Sequence, residues 1–303
     1  MMYDCVVIGG GPAGLTAAIY LARFHLSVIV VDHCQGRAAS IPITYNLAGF
    51  PEGIPGRDLV RRMRIQAERY GAHLRISEVT SLKRNGDIFI ATANDEFIVA
   101  RAVLLASGVV NHRPPMSDER HADALAKGLI RYCPVCDGFE ITDKNIGVLG
   151  TGERAFNEAL FLRSFTSRIT LIAPEGAHDL IGEQLLTLAR YRIESFAGPV
   201  AGIELEEDKI TVKLTDRVLT FASIYAAMGS DVRSELAAAL GATRTAAGCV
   251  EVDRHQRTTV TGLYAAGDVV LGLDQISSAM GQASVAATTI RNDLCKQRII
   301  LRS

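Results

Sequence analysis

Twice in its 303 residues the chain runs an apolar strand into a glycine turn and out again into a helix. Residues 3–8 lead into Gly9-Gly10-Gly11-Pro12-Ala13-Gly14 and a helical run over 15–23; residues 145–149 lead into Gly150-Thr151-Gly152-Glu153-Arg154-Ala155 and a helical run over 156–164. Both turns keep the G-x-G-x-x-G/A spacing. The first glycine permits the tight bend, the second lets backbone approach a pyrophosphate, and the small third residue lets helix pack on strand. The unpaired N–H groups at the helix start then face the phosphates. A second strand follows each helix, over 27–31 and 169–172, and the first of these ends at Asp32, about 20 residues past its turn, where an acid can hold a ribose hydroxyl. A repeat of this kind implies two nucleotide-type folds in one chain. The expected class is α/β, with two Rossmann-like, three-layer ββα domains.

Ahead of the second turn lies Cys133-Pro134-Val135-Cys136-Asp137-Gly138. Two thiols separated by two residues can close into a small disulfide ring, and one thiolate of such a pair is usually stabilised enough to be nucleophilic near neutral pH. Asp137 adds a carboxyl beside the second thiol, where it can give a proton to a leaving thiolate. A zinc site is the competing reading, but zinc takes four ligands and no second Cys-x-x-Cys or His-x-x-x-His occurs in the chain. The pair is therefore read as a redox couple. A disulfide needs something to exchange two electrons with, and the glycine turns point to a flavin dinucleotide.

The remaining segments fill out the two domains. A helical run over 57–70 ends at Gly71, and strand-like runs over 75–82, 87–93 and 96–100 suggest a small antiparallel meander before a buried strand at 102–105 returns to the sheet at Ser107-Gly108. Residues 111–115 read as a linker. In the second domain, runs at 210–214 and 218–221 form the meander and 224–228 the return strand. Gly262 to Asp268 is an apolar strand ending in Gly-Asp, followed by a helix-like run over 275–294; this suits Asp268 on ribityl hydroxyls and a helix N-terminus, at Gln275 and Ile276, aimed at a flavin ring. The turn-rich stretch 46–53 is either a plain loop or a neighbour of the flavin.

Composition removes several classes of function. Lys plus Arg total 32 against 33 Asp plus Glu, so there is no basic excess for nucleic acid or an anionic membrane. No apolar stretch reaches the roughly 18 residues of a spanning helix, and residue 3 already begins a strand without a basic leader, so no membrane partner and a cytoplasmic location are expected. Six cysteines are too sparse for a disulfide scaffold, and Cys5, Cys34, Cys249 and Cys295 have no near partners in sequence.

Through Gly9-x-Gly11-x-x-Gly14, residues 46–51, residues 133–138, Gly150-x-Gly152-x-x-Ala155 and Ala265-Ala266-Gly267-Asp268, in shared order and spacing over essentially its whole length, the chain resembles the low-molecular-weight thioredoxin reductase family. The resemblance implies an FAD domain (1–113 and 244–303) interrupted by an inserted pyridine-nucleotide-type domain (114–243) that carries the disulfide, and a homodimer. It implies catalytic roles for Cys136 nearest the flavin, Cys133 attacking a partner disulfide, and Asp137 as acid-base. The FAD-binding residues expected are Gly9, Gly11, Pro12, Ala13, Gly14, Asp32, Asn46, Ser107, Gly108, Gly267, Asp268, Gln275 and Ile276, with no metal. A thioredoxin-like protein or another disulfide is the implied substrate. The glutathione reductase branch is disfavoured, since its cysteines lie in the first domain, four apart, and here Cys34 has Ala39 at that distance.

Departures from the family pattern bear on the electron donor. Where the family places a His-Arg-Arg cluster and a further Arg on the 2′-phosphate of NADPH, residues 172–179 read Ile-Ala-Pro-Glu-Gly-Ala-His-Asp, and the next arginine is Arg190. Arg154 replaces a small residue in the second glycine turn. A family Gly-Gly becomes Gly36-Arg37, and an Arg-Gln pair becomes Asp274-Gln275. These changes resemble divergent members that take electrons from ferredoxin or a reduced flavin carrier. The leading expectation is thus an FAD-dependent disulfide oxidoreductase with a donor other than NADPH. The alternatives are an NAD(P)H-dependent thioredoxin reductase with an atypical nucleotide site, a dithiol oxidase passing electrons to oxygen, and a flavin-bound redox sensor without turnover.

Overall fold

Val6, Val7 and Ile8 are shut off from water, as a strand covered on both faces requires, and β1 (Met2–Ile8) lies inside a parallel sheet in this computed structural model, which describes residues 2–297. Helix α1 (Pro12–Arg23), β2 (Val28–Asp32), helix α2 (Gly56–Arg69), β3 (His73–Ile76), β4 (Val79–Asn85), β5 (Ile88–Ala93), β6 (Glu96–Leu105) and the short β7 (Val109–Asn111) follow. The meander and the parallel sheet are one sheet, in the order β3-β2-β1-β6-β5-β4. That is possible because β6 is ten residues long: its first half pairs antiparallel with β5 and its second half continues into the parallel core. The expected strand over 75–82 is corrected in the same way. It is two elements, β3 pairing parallel with β2 and β4 pairing antiparallel with β5; the bond from Ser77 N–H to Asp32 O closes the first ladder, and residues 77–78 belong to neither strand.

The second half of the chain forms α3 (Asp118–Ala126), β8 (Ile130–Arg131), the single turn α4 (Pro134–Asp137), β9 (Ile146–Leu149), α5 (Gly152–Leu162), β10 (Ile169–Ile172), α6 (Gly182–Arg190), β11 (Glu194–Phe196), β12 (Val200–Leu205), β13 (Ile210–Leu214), β14 (Val218–Phe221) and β15 (Ser223–Ala226). Five of these strands make a parallel sheet, β11-β10-β9-β15-β8, and β12-β13-β14 a separate antiparallel one. Strand β12 had no clear alternation in the sequence; Ile203 alone on it is buried. The chain closes with β16 (Ser230–Val232), α7 (Glu235–Ala239), β17 (Leu263–Ala265) beside β6, and α8 (Ile276–Gln297). Helices α1 and α8 pack together, and both bury alanines, among them Ala17, Ala18, Ala283 and Ala287, which allows close approach.

Two Rossmann-like units result. One comprises Met1–Ser40, Ile54–Val110 and Asp231–Ser303, the other Ile41–Gly53 and Asn111–Ser230. The return to the first unit thus comes at residue 231, earlier than 244, because Ala237 and Ala242 join Val79, Leu82 and Phe89 in the first unit's core. Residues 298–303, the end of the expected FAD domain, lie outside the described residues. No described helix is long and apolar enough to cross a membrane.

Candidate active site

In the second unit, Cys133 and Cys136 are joined as a disulfide with a Cα–Cα distance of 5.2 Å. Cys133 caps α4, and its sulfur accepts the Cys136 N–H at 3.2 Å, so local helix geometry alone brings the two sulfurs together. Gly138 ends the turn where a Cβ would lie 2.5 Å from the Phe165 ring and 2.6 Å from Pro134 O, so only glycine fits. The disulfide is half-buried, with Val135 and Phe139 exposed beside it.

Both oxygens of the Asp137 carboxylate are held. Tyr225 on β15 donates its hydroxyl to Oδ1 at 2.8 Å, and Arg131 on β8 pairs with Oδ2 at 2.8 Å. Burial pushes the Asp137 carboxyl up, against the opposing pull of Arg131 and Tyr225. A carboxyl so placed can hold a proton nearer neutral pH than an exposed aspartate, which is what a proton donor to Cys136 needs. Neither Tyr225 nor Arg131 was legible as a functional residue. Tyr225 sits 88 residues from Asp137 in an ordinary buried strand, and no local pattern links them.

The first glycine turn lies in the other unit and its three glycines have separate reasons. Gly9 adopts φ 107°, and a Cβ there would meet Ala106 O at 2.3 Å; a Cβ on Gly14 would meet Gly9 O at 1.9 Å; a Cβ on Gly11 would meet nothing within 4 Å. The first two positions are closed by protein and the third faces open space, with no side chain capping the start of α1. That is a cradle suited to a pyrophosphate. Asp32 ends β2 with its carboxylate under Gly10 and paired with Arg64. Ser107 and Gly108 follow β6, the Ser107 hydroxyl donating to Arg233 O at 2.5 Å and the Gly108 carbonyl accepting the Arg233 N–H. A Cβ on Gly267 would stand 2.9 Å from that of Ala13, so the Gly-Asp turn after β17 approaches the first turn closely. The expected residues from β1, α1, β2, β6, β17 and the start of α8 therefore gather at the carboxyl ends of the parallel strands, where α/β sheets bind ligands.

Two placements were not foreseen. Asn46 belongs to the unit of the disulfide, with its side-chain amide donating to Val135 O at 3.3 Å. Arg37, noted in the sequence only as a departure, pairs with Asp268 at 2.8 Å and with Asp274 at 3.3 Å. The two substituted positions thus meet, an arginine entering at one and an acid at the other.

The second glycine turn is built like the first: Gly150 abuts Ala227 O and Gly152 has φ 66°. Its surroundings differ. The hydroxyl of Thr151 accepts the Asp179 N–H at 3.0 Å, so the loop after β10 lies on the turn. That loop contains Glu175, His178 and Asp179 and no Lys or Arg, while Glu153 and Arg154 project from the turn into solvent.

These two units and their sites have close counterparts among known proteins. The family signature described as pyridine nucleotide-disulphide oxidoreductase matches residues 3–283. A thioredoxin reductase of Mycolicibacterium smegmatis is 35% identical over 89% of this chain and 89% of its own length. Among solved structures, HlmI is 28% identical with a TM-score of 0.89, covering 98% of this chain and 94% of its own. The thioredoxin reductase of Streptococcus pyogenes MGAS5005 is 25% identical with a TM-score of 0.88, covering 97% and 99%. The chain belongs to the pyridine nucleotide-disulphide oxidoreductase family, in its low-molecular-weight thioredoxin reductase-like branch, and is an FAD-dependent oxidoreductase.

Proposed function

We propose that this enzyme passes electrons from a donor other than NADPH, through FAD, to the Cys133–Cys136 disulfide and on to thioredoxin or a similar protein disulfide. The observation that carries the donor assignment is the loop after β10, which lacks any cation for a 2′-phosphate and lays Asp179 on the glycine turn. An acidic loop over a pyrophosphate site repels the ligand that the turn would otherwise bind. Ferredoxin or a reduced flavin carrier fits this reading, since neither needs a nucleotide site. The relatives' names support thioredoxin as the substrate. Sparse cysteines and the family's habit support a cytoplasmic homodimer.

FAD, when bound, supplies two-electron transfer to a disulfide. Gly9, Gly11, Pro12, Ala13 and Gly14 would hold its pyrophosphate, Asp32 a ribose, Asp268 the ribityl chain, and Ser107, Gly108, Gly267, Gln275 and Ile276 its remaining edges. Cys133 then attacks the partner disulfide, Cys136 resolves the mixed disulfide, and Asp137 takes and returns the proton. Arg37 orients Asp268. Losing one charge-assisted contact weakens a site by roughly 1.5 to 3 kcal/mol, so Arg37→Ala is expected to raise the FAD dissociation constant by about tenfold to a hundredfold. Recovery of flavin fluorescence on dilution measures this, and Arg37→Gly combined with Asp274→Arg should restore retention.

The donor assignment is tested by anaerobic reduction followed at the flavin's visible maximum. Reduced ferredoxin or a reduced flavin carrier should bleach the enzyme, and the bleached enzyme should then reduce thioredoxin. Bleaching by NADH alone would move the assignment to Glu175, and rapid loss of electrons to oxygen in preference to any protein disulfide would favour the oxidase.

A further inference from the structure

Strands β8 and β15 pair in parallel with Arg131 opposite Tyr225, so the two side chains leave the same face of the sheet side by side. They end on the two oxygens of one carboxylate, at 2.8 Å each, with the Tyr225 hydroxyl on Asp137 Oδ1 and the Arg131 guanidinium on Oδ2. Tyr225 is wholly buried in the core that β9 and α5 form. The guanidinium has room because residue 128 is glycine, where a Cβ would lie 3.0 Å from Arg131 Nη2. A fork set by strand register thus grips the acid that follows Cys136.

The two prongs serve the acid differently. A guanidinium only donates, so Arg131 can hold Oδ2 only while that oxygen carries no proton, and a proton on Asp137 must sit on Oδ1. A hydroxyl both donates and accepts. The Tyr225 oxygen also lies 3.2 Å from the Asp137 backbone carbonyl, a second acceptor for its proton. While the carboxylate is ionised, Tyr225 donates to Oδ1; once Oδ1 is protonated, Tyr225 accepts from it and donates to the carbonyl. Neither state then leaves this pair of buried groups unsatisfied, which would be costly. Two more acids are in range of the charge: Glu140, in the turn after α4, opposes ionisation of Asp137, and Glu158 on α5 feels it.

We propose that Arg131 and Tyr225 are positioning residues for proton transfer to Cys136: Arg131 confines the Asp137 proton to Oδ1, and Tyr225 turns its hydroxyl between Oδ1 and the Asp137 carbonyl as that proton comes and goes. The assignment rests on reading Asp137 as the acid for Cys136.

The half-reaction with dithiothreitol isolates the step from any question of the donor. One dithiothreitol thiolate attacks Cys133 Sγ; the Cys133–Cys136 bond breaks, and Cys136 leaves with the Asp137 proton. The second dithiothreitol sulfur, its proton given to water, attacks the first and releases the Cys133 thiolate. Dithiothreitol is thereby oxidised by two electrons to its cyclic disulfide, the enzyme disulfide is reduced, and Asp137 regains its proton from water.

The rate is read by timed alkylation and mass measurement on the holoenzyme, normalised at each pH to the reaction of dithiothreitol with oxidised glutathione. It should fall along a limb as pH rises and Asp137 loses its proton. Arg131→Gln removes a positive charge from beside Oδ2, so the limb should move up by about one to two pH units, the variant outpacing wild type at high pH and lagging at low pH. Loss of packing alone gives no gain of rate at any pH, so an unmoved limb overturns the role of Arg131. Arg131→Lys keeps the charge and should bring the limb back to within about half a pH unit of wild type; a limb as displaced as in Arg131→Gln also overturns it. Tyr225→Phe loses a bond in both forms of the acid, so its limb should stay within about half a pH unit while the rate falls. A limb that rises as far as in Arg131→Gln would mark Tyr225 as a fixed donor and overturn its turning. Infrared difference spectra of wild type across the limb, with ring-labelled tyrosine, should show one tyrosine C–O band moving between donor and acceptor positions and missing from Tyr225→Phe; its absence overturns the same claim. Asp137→Asn separates these failures from failure of the underlying reading: a limb that survives in that variant belongs to another group, and Asp137 is then not the acid.

Discussion

Cys136→Ser is expected to halve the electron uptake of the enzyme, from about four per chain to about two, and to lower turnover with a protein disulfide by at least about 10³-fold. The two electrons lost are those of the disulfide, which in this fold has a single partner for each sulfur. Cys133 and Cys136 are bonded to each other, and Cys5, Cys34, Cys249 and Cys295 are free. Anaerobic titration with dithionite measures the uptake, and an unchanged value in Cys136→Ser would show that the pair is not coupled to the flavin. Cys133→Ser separates the roles. It keeps a thiol at Cys136 and loses exchange with a partner protein. Cys249→Ser, on a half-buried residue remote in sequence from the motif, should change neither quantity. Cys5 is inert for a different reason, since burial in the sheet pushes its thiol far up and leaves no thiolate to react.

The second large effect concerns NADPH. Each charge-assisted contact to a phosphate is worth roughly 1.5 to 3 kcal/mol, so the absence of two arginines costs roughly 3 to 6 kcal/mol, on the order of 10² to 10⁴ in affinity. Residues 172–189 contain no Lys or Arg to recover that loss. The loop adds to it, because the Asp179 backbone N–H donates to the hydroxyl of Thr151 and the Asp179 carbonyl lies 3.8 Å from where a Cβ on Gly152 would stand. Stopped-flow mixing with micromolar NADPH under argon should leave the flavin oxidised on the time scale of turnover, and rapid bleaching would falsify the reading of the second turn as a relic. NADH lacks the 2′-phosphate and escapes the argument from missing arginines. Glu175, exposed and past the end of β10, lies farther from its turn than Asp32 does from the first, so a ribose contact there is poorly placed.

The repeat of strand, glycine turn and helix was legible because its glycines answer to backbone sterics that operate within a few residues. Gly9, Gly14 and Gly150 each sit where a Cβ would strike a carbonyl oxygen, and such clashes leave a mark in the sequence. The Cys-x-x-Cys turn is legible for the same reason, since one helical turn suffices to place its sulfurs. What misled was the pairing of the meander. Residues 75–82 read as one strand because alternation is equally satisfied on both sides of Ser77, and only the ladder partners, β2 for one part and β5 for the other, divide it.

By itself, then, the sequence determined two nucleotide-type units, a redox pair between the two glycine turns, and the loss of the phosphate-binding arginines, all of them properties of short segments. Tertiary structure alone decided what surrounds the acid and the cofactor turn. Tyr225 and Arg131 reach Asp137 only because β15 and β8 are neighbours in a parallel sheet, and Arg37 meets Asp268 across 231 residues. Charges and hydroxyls act through space over a few ångströms, and in a parallel sheet with long crossovers that distance bears no relation to separation along the chain.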